Sequence, residues 1–342
     1  MTLKEIAAQA GVSVSTVSRV LNQKSSSCAS KELQDKIWAI AREGGYRPNE
    51  AARSLRRSDA QNRTAEEKNR SVSIILARIT ALEEEPFFAE LFRALEIELL
   101  KQNITIQNVV YARDTVRADL SDCSGVIILG RCSQKLLGHI LSQNKNAVGI
   151  WRNPVNFNVD EVVCDGKKAA EAAMRYLFSL GHKKIAYIGS CSYESRYVGY
   201  CDTLFKNNIP LDYDLIRQTD QTKAEAETAF LDLLKKKLAG TIDFTAVLCA
   251  NDITAVRVLE LLQEHKKQLR KTPVSVISID DIEEAQNTKP YLTTVRIPRR
   301  EMAHLAVLLL LDRIGGGHEE IVRNELPCRI VKRDSCYECK ET

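Results

Sequence analysis

No apolar run in the 342-residue sequence is long enough to cross a bilayer, since a spanning helix needs ~20 predominantly apolar residues in succession. Export is not expected either. Met1-Thr2-Leu3-Lys4-Glu5 is not followed by an apolar stretch and a small-residue cleavage site. The ten cysteines are scattered and show no framework spacing, so they read as reduced thiols of a cytoplasmic chain. Cys336-Tyr337-Glu338-Cys339 has redox or ligand spacing, but it lacks a second pair at usable distance and reads as part of a solvated tail. Zinc-ligand spacing, a nucleophile elbow and a dinucleotide fingerprint are all missing. Gly315-Gly316-Gly317-His318 follows a helical stretch and lacks the Lys-Ser/Thr ending of a phosphate loop, so it reads as a turn. The expectation is a chain with no metal, no cofactor and no catalytic residues, and therefore not an enzyme.

What is present is ordinary in bulk and uneven in detail. Hydrophobic residues make up 44% and charged residues 27%, enough for a sizeable core. The length implies two or three folding units. The net charge of +4 is concentrated at one end: residues 1–58 carry ten Lys/Arg against five Asp/Glu, and residues 71–342 sum to −1. A small cationic module on a body without excess positive charge is the footprint of a domain that meets phosphates.

The first 45 residues read as three short helices. Thr2 and Glu5 fit a capping box, and Leu3, Ile6, Ala7 and Ala10 recur at helical spacing. Gly11 makes a sharp turn, and Ser13 caps a second helix that runs through Asn22. A third starts near Ser30, carries Leu33, Ile37, Trp38 and Ile40, and ends at Gly44-Gly45. Helix, Gly-containing turn, helix is the helix-turn-helix pattern. Its second helix presents N-terminal residues to base edges in the major groove, here Val14, Ser15, Thr16, Ser18 and Arg19. Val17, Val20 and Leu21 fall on the opposite face as core. Pro48 keeps Arg47 extended, Asn49 caps a short helix from Glu50 to Arg57, and residues 59–71 read as a polar linker.

From Val72 onward, apolar runs alternate with helix-length segments. Candidate strands span residues 72–77, 104–110, 125–130, 148–151, 185–189, 246–250 and 274–280. Helical segments span 87–101, 169–180, 197–207, 224–237 and 253–263. Fully apolar strands separated by helices imply parallel sheets. Two such runs, one on each side of about residue 165, predict an α/β core of two lobes over residues 72–333, with a cleft at the carboxyl ends of the strands. Residues 334–342 are left as tail.

The blocks Thr2-Leu3-Lys4-Glu5-Ile6-Ala7, Ala10-Gly11-Val12-Ser13, Ser15-Thr16-Val17-Ser18-Arg19-Val20-Leu21-Asn22 and Tyr46-Arg47-Pro48-Asn49 resemble the headpiece of the lactose/galactose repressor family. The likeness continues at lower density over nearly the whole chain. It implies a homodimeric transcriptional regulator with a periplasmic-binding-protein-like core, each headpiece reading half of a near-palindromic operator. It adds Thr2, Ser13, Asn22, Tyr46 and Asn49 to the DNA-facing set. Residues 46–58 then match the family's hinge helix, with Ala51, Ala52 and Leu55 as its small-residue and leucine-lever pattern. Minor-groove entry by such a wedge unstacks a base step, and Arg53, Arg56 and Arg57 would neutralise phosphates.

The same resemblance assigns an effector site. Pro86-Phe87-Phe88 opens the first core helix, where the family places side chains against its ligand, and aromatic faces suit a pyranose. Arg196-Tyr197-Val198-Gly199-Tyr200 is similar to the family's arginine element. A guanidinium offers a fork of donors to adjacent hydroxyls, or pairs with the nearby Glu194. Ala250-Asn251-Asp252 and Ile279-Asp280-Asp281 match strand-end motifs. Asn251 can donate and accept, Asp252 is expected to cap the following helix, and Asp280 is the candidate acceptor. A hydrolase using the paired aspartates is disfavoured, because neighbours on an extended segment point opposite ways.

Three departures stand out. Trp151, followed by Arg152, sits where relatives carry an aspartate; Ser278-Ile279 replaces Gly-Tyr; and Ile297 replaces a polar contact. Within the family, the likeness leans toward members that answer to galactosides. The readings left open are a repressor released by a small sugar, a catabolite-type regulator controlled by a protein partner, and a corepressor-dependent regulator. Dimerisation is expected through the core, with Leu305, Leu308, Leu309 and Leu311 of segment 301–312 covering a wide arc. With no leucine heptad beyond Arg333, a dimer is expected and not a tetramer.

Overall fold

The computed structural model describes residues 1–22, 29–46, 70–153, 158–192, 194–269 and 273–339. The hinge and linker readings at 47–69, with Asn49, Ala52, Arg53, Leu55 and Arg56, lie outside the described residues.

Three helices open the chain: α1 (Leu3–Ala10), α2 (Val14–Asn22) and α3 (Lys31–Glu43). The box at α1 is reciprocal. Glu5 N donates to Thr2 Oγ1 at 3.3 Å, and Thr2 N donates to the Glu5 carboxylate at 2.8 Å. Gly11 ends α1 at φ 75°, which only glycine adopts freely. Ser13 Oγ accepts from Thr16 N at 3.1 Å, and Ser30 Oγ accepts from Leu33 N at 3.3 Å, so each following helix starts on a serine cap. Ile6, Val17 and Ile37 are fully buried at the centre of a cluster with Val20, Leu21 and Trp38. Each such side chain contributes roughly 1.5–3 kcal/mol of burial.

By packing, the chain divides into two compact units. One comprises Met1–Ile150, Asn156–Val162 and Arg299–Asn324; the other comprises Trp151–Val155, Val163–Pro298 and Glu325–Thr342.

The first unit holds the helical headpiece and a six-stranded sheet. Its strands are β1 (Ser71–Ala77), β2 (Thr105–Ala112), β3 (Gly125–Gly130), β4 (Ala147–Trp151), β5 (Asp160–Val163) and β11 (Arg323–Glu325), in the order β11-β5-β4-β3-β1-β2. β1 runs parallel to β2 and β3, and β3 runs parallel to β4. β3 and β4 are buried along their whole length, which is why they read as uninterrupted apolar runs. Helices α4 (Pro86–Lys101), α5 (Gln134–Gln143) and α10 (Arg299–Ile314) accompany this sheet. The α10 leucines do not form one buried arc. Leu308 is exposed, and the buried side consists of Met302, Ala303, Ala306, Val307, Leu309 and Leu310 as the helix packs on α4.

The headpiece docks on α4 in a way nothing in the sequence announced. Glu96 accepts from Arg42 at 2.9 Å and from Arg93 at 2.7 Å, while Arg93 also reaches Asp35 at 2.5 Å and lies 4.9 Å from the Trp38 ring. Burial pushes the Glu96 carboxyl up to about 7 against the pull of both arginines.

The second unit has its own sheet: β6 (Ile185–Gly189), β7 (Ile216–Gln218), β8 (Ala246–Cys249), β9 (Ser275–Asp280), β10 (Thr293–Arg296) and β12 (Arg329–Val331), in the order β12-β10-β9-β8-β6-β7. All pairings are parallel except β12 on β10. Helices α6 (Gly166–Ser179), α7 (Ser195–Lys206), α8 (Lys223–Leu238) and α9 (Asp252–Glu264) complete it. The fold is the expected one, a helix-turn-helix headpiece with two parallel α/β sheets.

The sequence reading missed α5 and the short strands β5, β7, β10, β11 and β12. With three or four residues, several of them charged, these strands are too short for a hydrophobic pattern to register. The expectation of a solvated tail from residue 334 is also corrected. Ser335 is fully buried and its carbonyl accepts from Val276 N at 2.8 Å. Tyr337 N donates to Ser275 Oγ at 2.8 Å, and Cys339 N to Leu180 O at 2.7 Å. Backbone groups at the start of β9 need partners once buried, and this segment supplies them. The Cys336 thiol rests on Val276 O at 3.2 Å, and burial pushes it up to about 12.

Candidate DNA interface and effector site

On α2, the division between core and outward residues follows the sequence. Val17, Val20 and Leu21 are buried, whereas Ser13, Val14, Ser15 and Arg19 are exposed and Thr16 and Ser18 half-buried. The hydroxyls at the start of the helix form a connected set. Ser13 Oγ lies 2.8 Å from Ser15 Oγ and 2.9 Å from Thr16 Oγ1. A set of hydroxyls that can donate or accept, beside an apolar Val14 tip and the exposed Arg19 guanidinium, has the chemistry needed to read a major-groove edge. Asn22 is tied back to its own helix through Ser18 O at 2.7 Å. Thr2 is the exposed cap of α1, and Tyr46 packs half-buried against the headpiece core, its N–H on Ala41 O at 2.8 Å.

Of the six effector candidates, the second unit contains Trp151, Arg196, Asn251 and Asp280, while Phe87 and Phe88 belong to the first. The two phenylalanines are buried edge to face, centroids 5.2 Å apart, and the Arg299 guanidinium lies 5.6 Å from the Phe87 ring.

In the second unit the candidates meet at the carboxyl ends of the strands. Arg196, at the start of α7, is 3% exposed. Its Nε and Nη2 donate to the two oxygens of Glu194 at 2.8 and 2.9 Å, and its Nη1 donates to Ala250 O at 2.6 Å. The fork that resembled an effector clamp is therefore held by Glu194, and this pairing is buried instead of lying on the surface. Burial raises the Glu194 carboxyl, but the Arg196 guanidinium outweighs it and holds the group at about 2.

The capping role expected of Asp252 falls to Asn251. Asn251 is the cap of α9, its Oδ1 accepting from Thr254 N at 3.0 Å and its Nδ2 donating to Gln221 O at 3.3 Å. Asp252 is fully buried and accepts from Ser278 Oγ at 2.5 Å, Thr294 Oγ1 at 2.6 Å and Ile282 N at 2.8 Å. Asp252 thus ties α9 to β9, β10 and the loop after β9, which explains why the unusual Ser278 is compatible with this site.

The paired aspartates are not on an extended run. Asp280 has φ 132° and Asp281 φ 57°, a region that side-chain-bearing residues enter at a cost of about 1–3 kcal/mol. Asp280 is held by Arg152 Nη1, 3.1 Å from both carboxylate oxygens. Asp281 takes Arg296 and Arg333, each at 2.5 Å. Their separate partners leave no shared-proton pair of the hydrolase type.

Arg152, Glu194 and Asp252 were not among the effector candidates: the sequence offered Glu194 as a partner for Arg196 and Asp252 as a helix cap, and named Arg152 only as the residue after Trp151. Among the described residues, the buried side-chain atoms of this unit without a hydrogen-bond partner include Trp151 Nε1, Asn153 Oδ1 and Gln221 Oε1. Trp151 itself is 2% exposed. A Cβ at Gly166 would lie 3.0 Å from Asn153 Oδ1 and 3.2 Å from Arg196 Cγ, so glycine there lets these two side chains approach. Trp151 and Asn153 flank Arg152 in the chain, and Gln221 O accepts from Asn251 Nδ2 at 3.3 Å, so one donor and two acceptors close in sequence or contact to the candidates each gain from a ligand that supplies a partner. No group of His, Cys, Asp and Glu suited to a metal occurs among the described residues.

Residues 2–49 match the model for bacterial regulatory proteins of the lacI family, and residues 174–336 match a periplasmic binding protein-like domain. The chain is 28% identical over 358 aligned residues to the HTH-type transcriptional repressor MelR of Bacillus subtilis, covering 98% of this chain and 97% of the relative. It is likewise 28% identical over 352 residues to the repressor CytR of Escherichia coli, covering 98% and 96%. Among solved structures, a transcriptional regulator CelR–cellobiose complex aligns with TM-score 0.67 at 24% identity, over 98% of this chain and 100% of that one. A lac repressor dimer bound to operator and the anti-inducer ONPF aligns with TM-score 0.65 at 22% identity, over 98% and 99%.

Proposed function

The chain belongs to the lacI family of bacterial regulatory proteins, and from that premise we propose that it is a cytoplasmic, non-enzymatic transcriptional repressor whose grip on operator DNA is released by a small sugar. The observation that carries the DNA half is the exposed leading face of α2, Val14, Ser15 and Arg19, in the segment that holds all the chain's excess positive charge. A homodimer presents two such faces to a near-palindromic duplex. The effector half rests on the unpartnered Trp151 and Asn153 atoms on either side of Arg152 in the chain, on Gln221 against Asn251, and on the Arg152–Asp280 contact. A saccharide supplies acceptors for the indole N–H and donors for the two carbonyl oxygens. Relatives are repressors, and one solved neighbour is a complex with cellobiose. For this chain a galactoside is the first effector to try.

Control is a coupling free energy between the two sites: an effector that weakens operator binding is itself weakened by operator to the same factor. The hinge segment with Leu55 is the element assigned to carry that coupling, and Arg53 and Arg56 the residues assigned to its phosphates. The test is a selected duplex titrated with the full chain by fluorescence anisotropy, with and without a panel of mono- and disaccharides. Release by one sugar supports the proposal, and tightening by one makes the protein a corepressor system. Absence of any preferred duplex sequence defeats the DNA half.

A further inference from the structure

Two cysteines outside the effector cluster lie where the chain passes between its units. It crosses after Val162 and again after Asn324. Cys164 follows β5, and Cys328 lies between β11 and β12. These segments run side by side, with Leu326 N donating to Val163 O at 2.8 Å, and Cys164 N is anchored on Trp151 O at 3.3 Å. Adjacent strand segments sit about 4.7–4.9 Å apart, within the ~4.4–6.8 Å between Cα atoms that a disulfide spans. Cys164 is 1% exposed and Cys328 half-buried, and the Cys164 thiol is within hydrogen-bond reach of the Cys328 sulfur.

We propose that Cys164 and Cys328 are a reversible dithiol–disulfide site, oxidised by a low-molecular-weight disulfide, that staples together two of the segments joining the units. Cys328 is the attacking thiol. The hydrogen bond from Cys164 lowers it, with Arg175 adding to the effect, while Cys164 is raised by the same hydrogen bond and by burial. The Cys328 thiolate attacks one sulfur of glutathione disulfide and expels a glutathione thiolate, leaving a mixed disulfide. Cys164, losing its proton, attacks the Cys328 sulfur and expels the second glutathione. Two protein thiols are oxidised and one glutathione disulfide becomes two thiols, which take up the two protons. Half-exposure of Cys328 admits the oxidant, and burial of Cys164 makes it the resolving thiol.

The experiment equilibrates the reduced full-length chain in glutathione buffers graded from reducing to oxidising, quenches with acid, alkylates and maps peptides by mass. The expected product is a peptide linked through Cys164 and Cys328 that dithiothreitol reverses, with amide exchange over residues 160–166 and 323–331 slowed severalfold. C164S should stop at glutathione on Cys328, and C328S should leave Cys164 as a free thiol throughout. If either variant fails to fold, the other carries the comparison. Linkage of other cysteines first, Cys336 to Cys339 for example, glutathione persisting on wild-type Cys328, or no change across the buffers each overturns the assignment.

Discussion

Replacing Arg196 with methionine isolates the buried pair that organises the second unit. The substitution keeps a long apolar stem and removes three hydrogen bonds, two to Glu194 and one to Ala250 O. What matters most is what remains: a Glu194 carboxyl 8% exposed with its counter-ion gone. Breaking one side of a buried pair costs about 3–5 kcal/mol. The depressed Glu194 carboxyl points to a similar size. Glu194 is held at about 2 against an ordinary 4.5, which corresponds to about 3 kcal/mol. That stabilisation is complete above the unfolded value and is lost as pH falls through about 2 in the native protein. In the variant, burial without the Arg196 guanidinium pushes the carboxyl back up, against Arg152 and the remaining backbone N–H, so R196M loses less stability than wild type as the pH falls from 7 toward 5. Urea unfolding followed by circular dichroism, at pH 5 and pH 7, measures both effects. Adding Glu194→Gln to R196M should recover more than half of the loss, because the uncompensated charge is gone. A loss below ~1 kcal/mol in R196M, or a double variant no more stable than the single one, refutes the account.

Four further outcomes follow from particular contacts. Trp151→Phe keeps the ring but removes the unpartnered Nε1, so folding stability should hold while affinity for the effector sugar falls about tenfold by calorimetry, one hydrogen bond's worth. Unchanged sugar affinity in W151F removes the indole from the site. Arg19→Ala should weaken operator binding and lower the slope of log affinity against log salt by about 1, read from anisotropy titrations across a potassium chloride series. Gly199→Ala places a Cβ 2.4 Å from Lys167 O and 2.9 Å from Ala170 Cβ, and should destabilise the α6–α7 contact by about 1–3 kcal/mol in urea. Leu55→Ala should weaken operator binding in a gel-shift titration and leave sugar binding intact, as expected if that side chain wedges a base step.

The headpiece was legible because its signals are local. The Thr2–Glu5 box, Gly11 and the Ser13 and Ser30 caps act within a few residues of themselves, and the spacing of Ile6, Val17 and Ile37 sets which faces are buried. The longer strands were legible for the same reason, β3 and β4 above all, being apolar along their whole length. The effector cluster was legible only as a set of candidates. Strand-end motifs located Arg196, Asn251 and Asp280 but could not say which partner each takes.

From the amino-acid order alone came the helix-turn-helix, the two parallel α/β runs, the charge gradient and the segments where a site could lie, since periodicity, capping and composition act over short chain distances. Tertiary structure alone decided that Arg196 faces Glu194, that Asn251 caps while Asp252 is buried, that the last residues fold against β9, and that Cys164 meets Cys328. Those pairings join residues up to 164 positions apart in the chain, in the last case, and depend on how desolvated groups find partners once the sheets have formed.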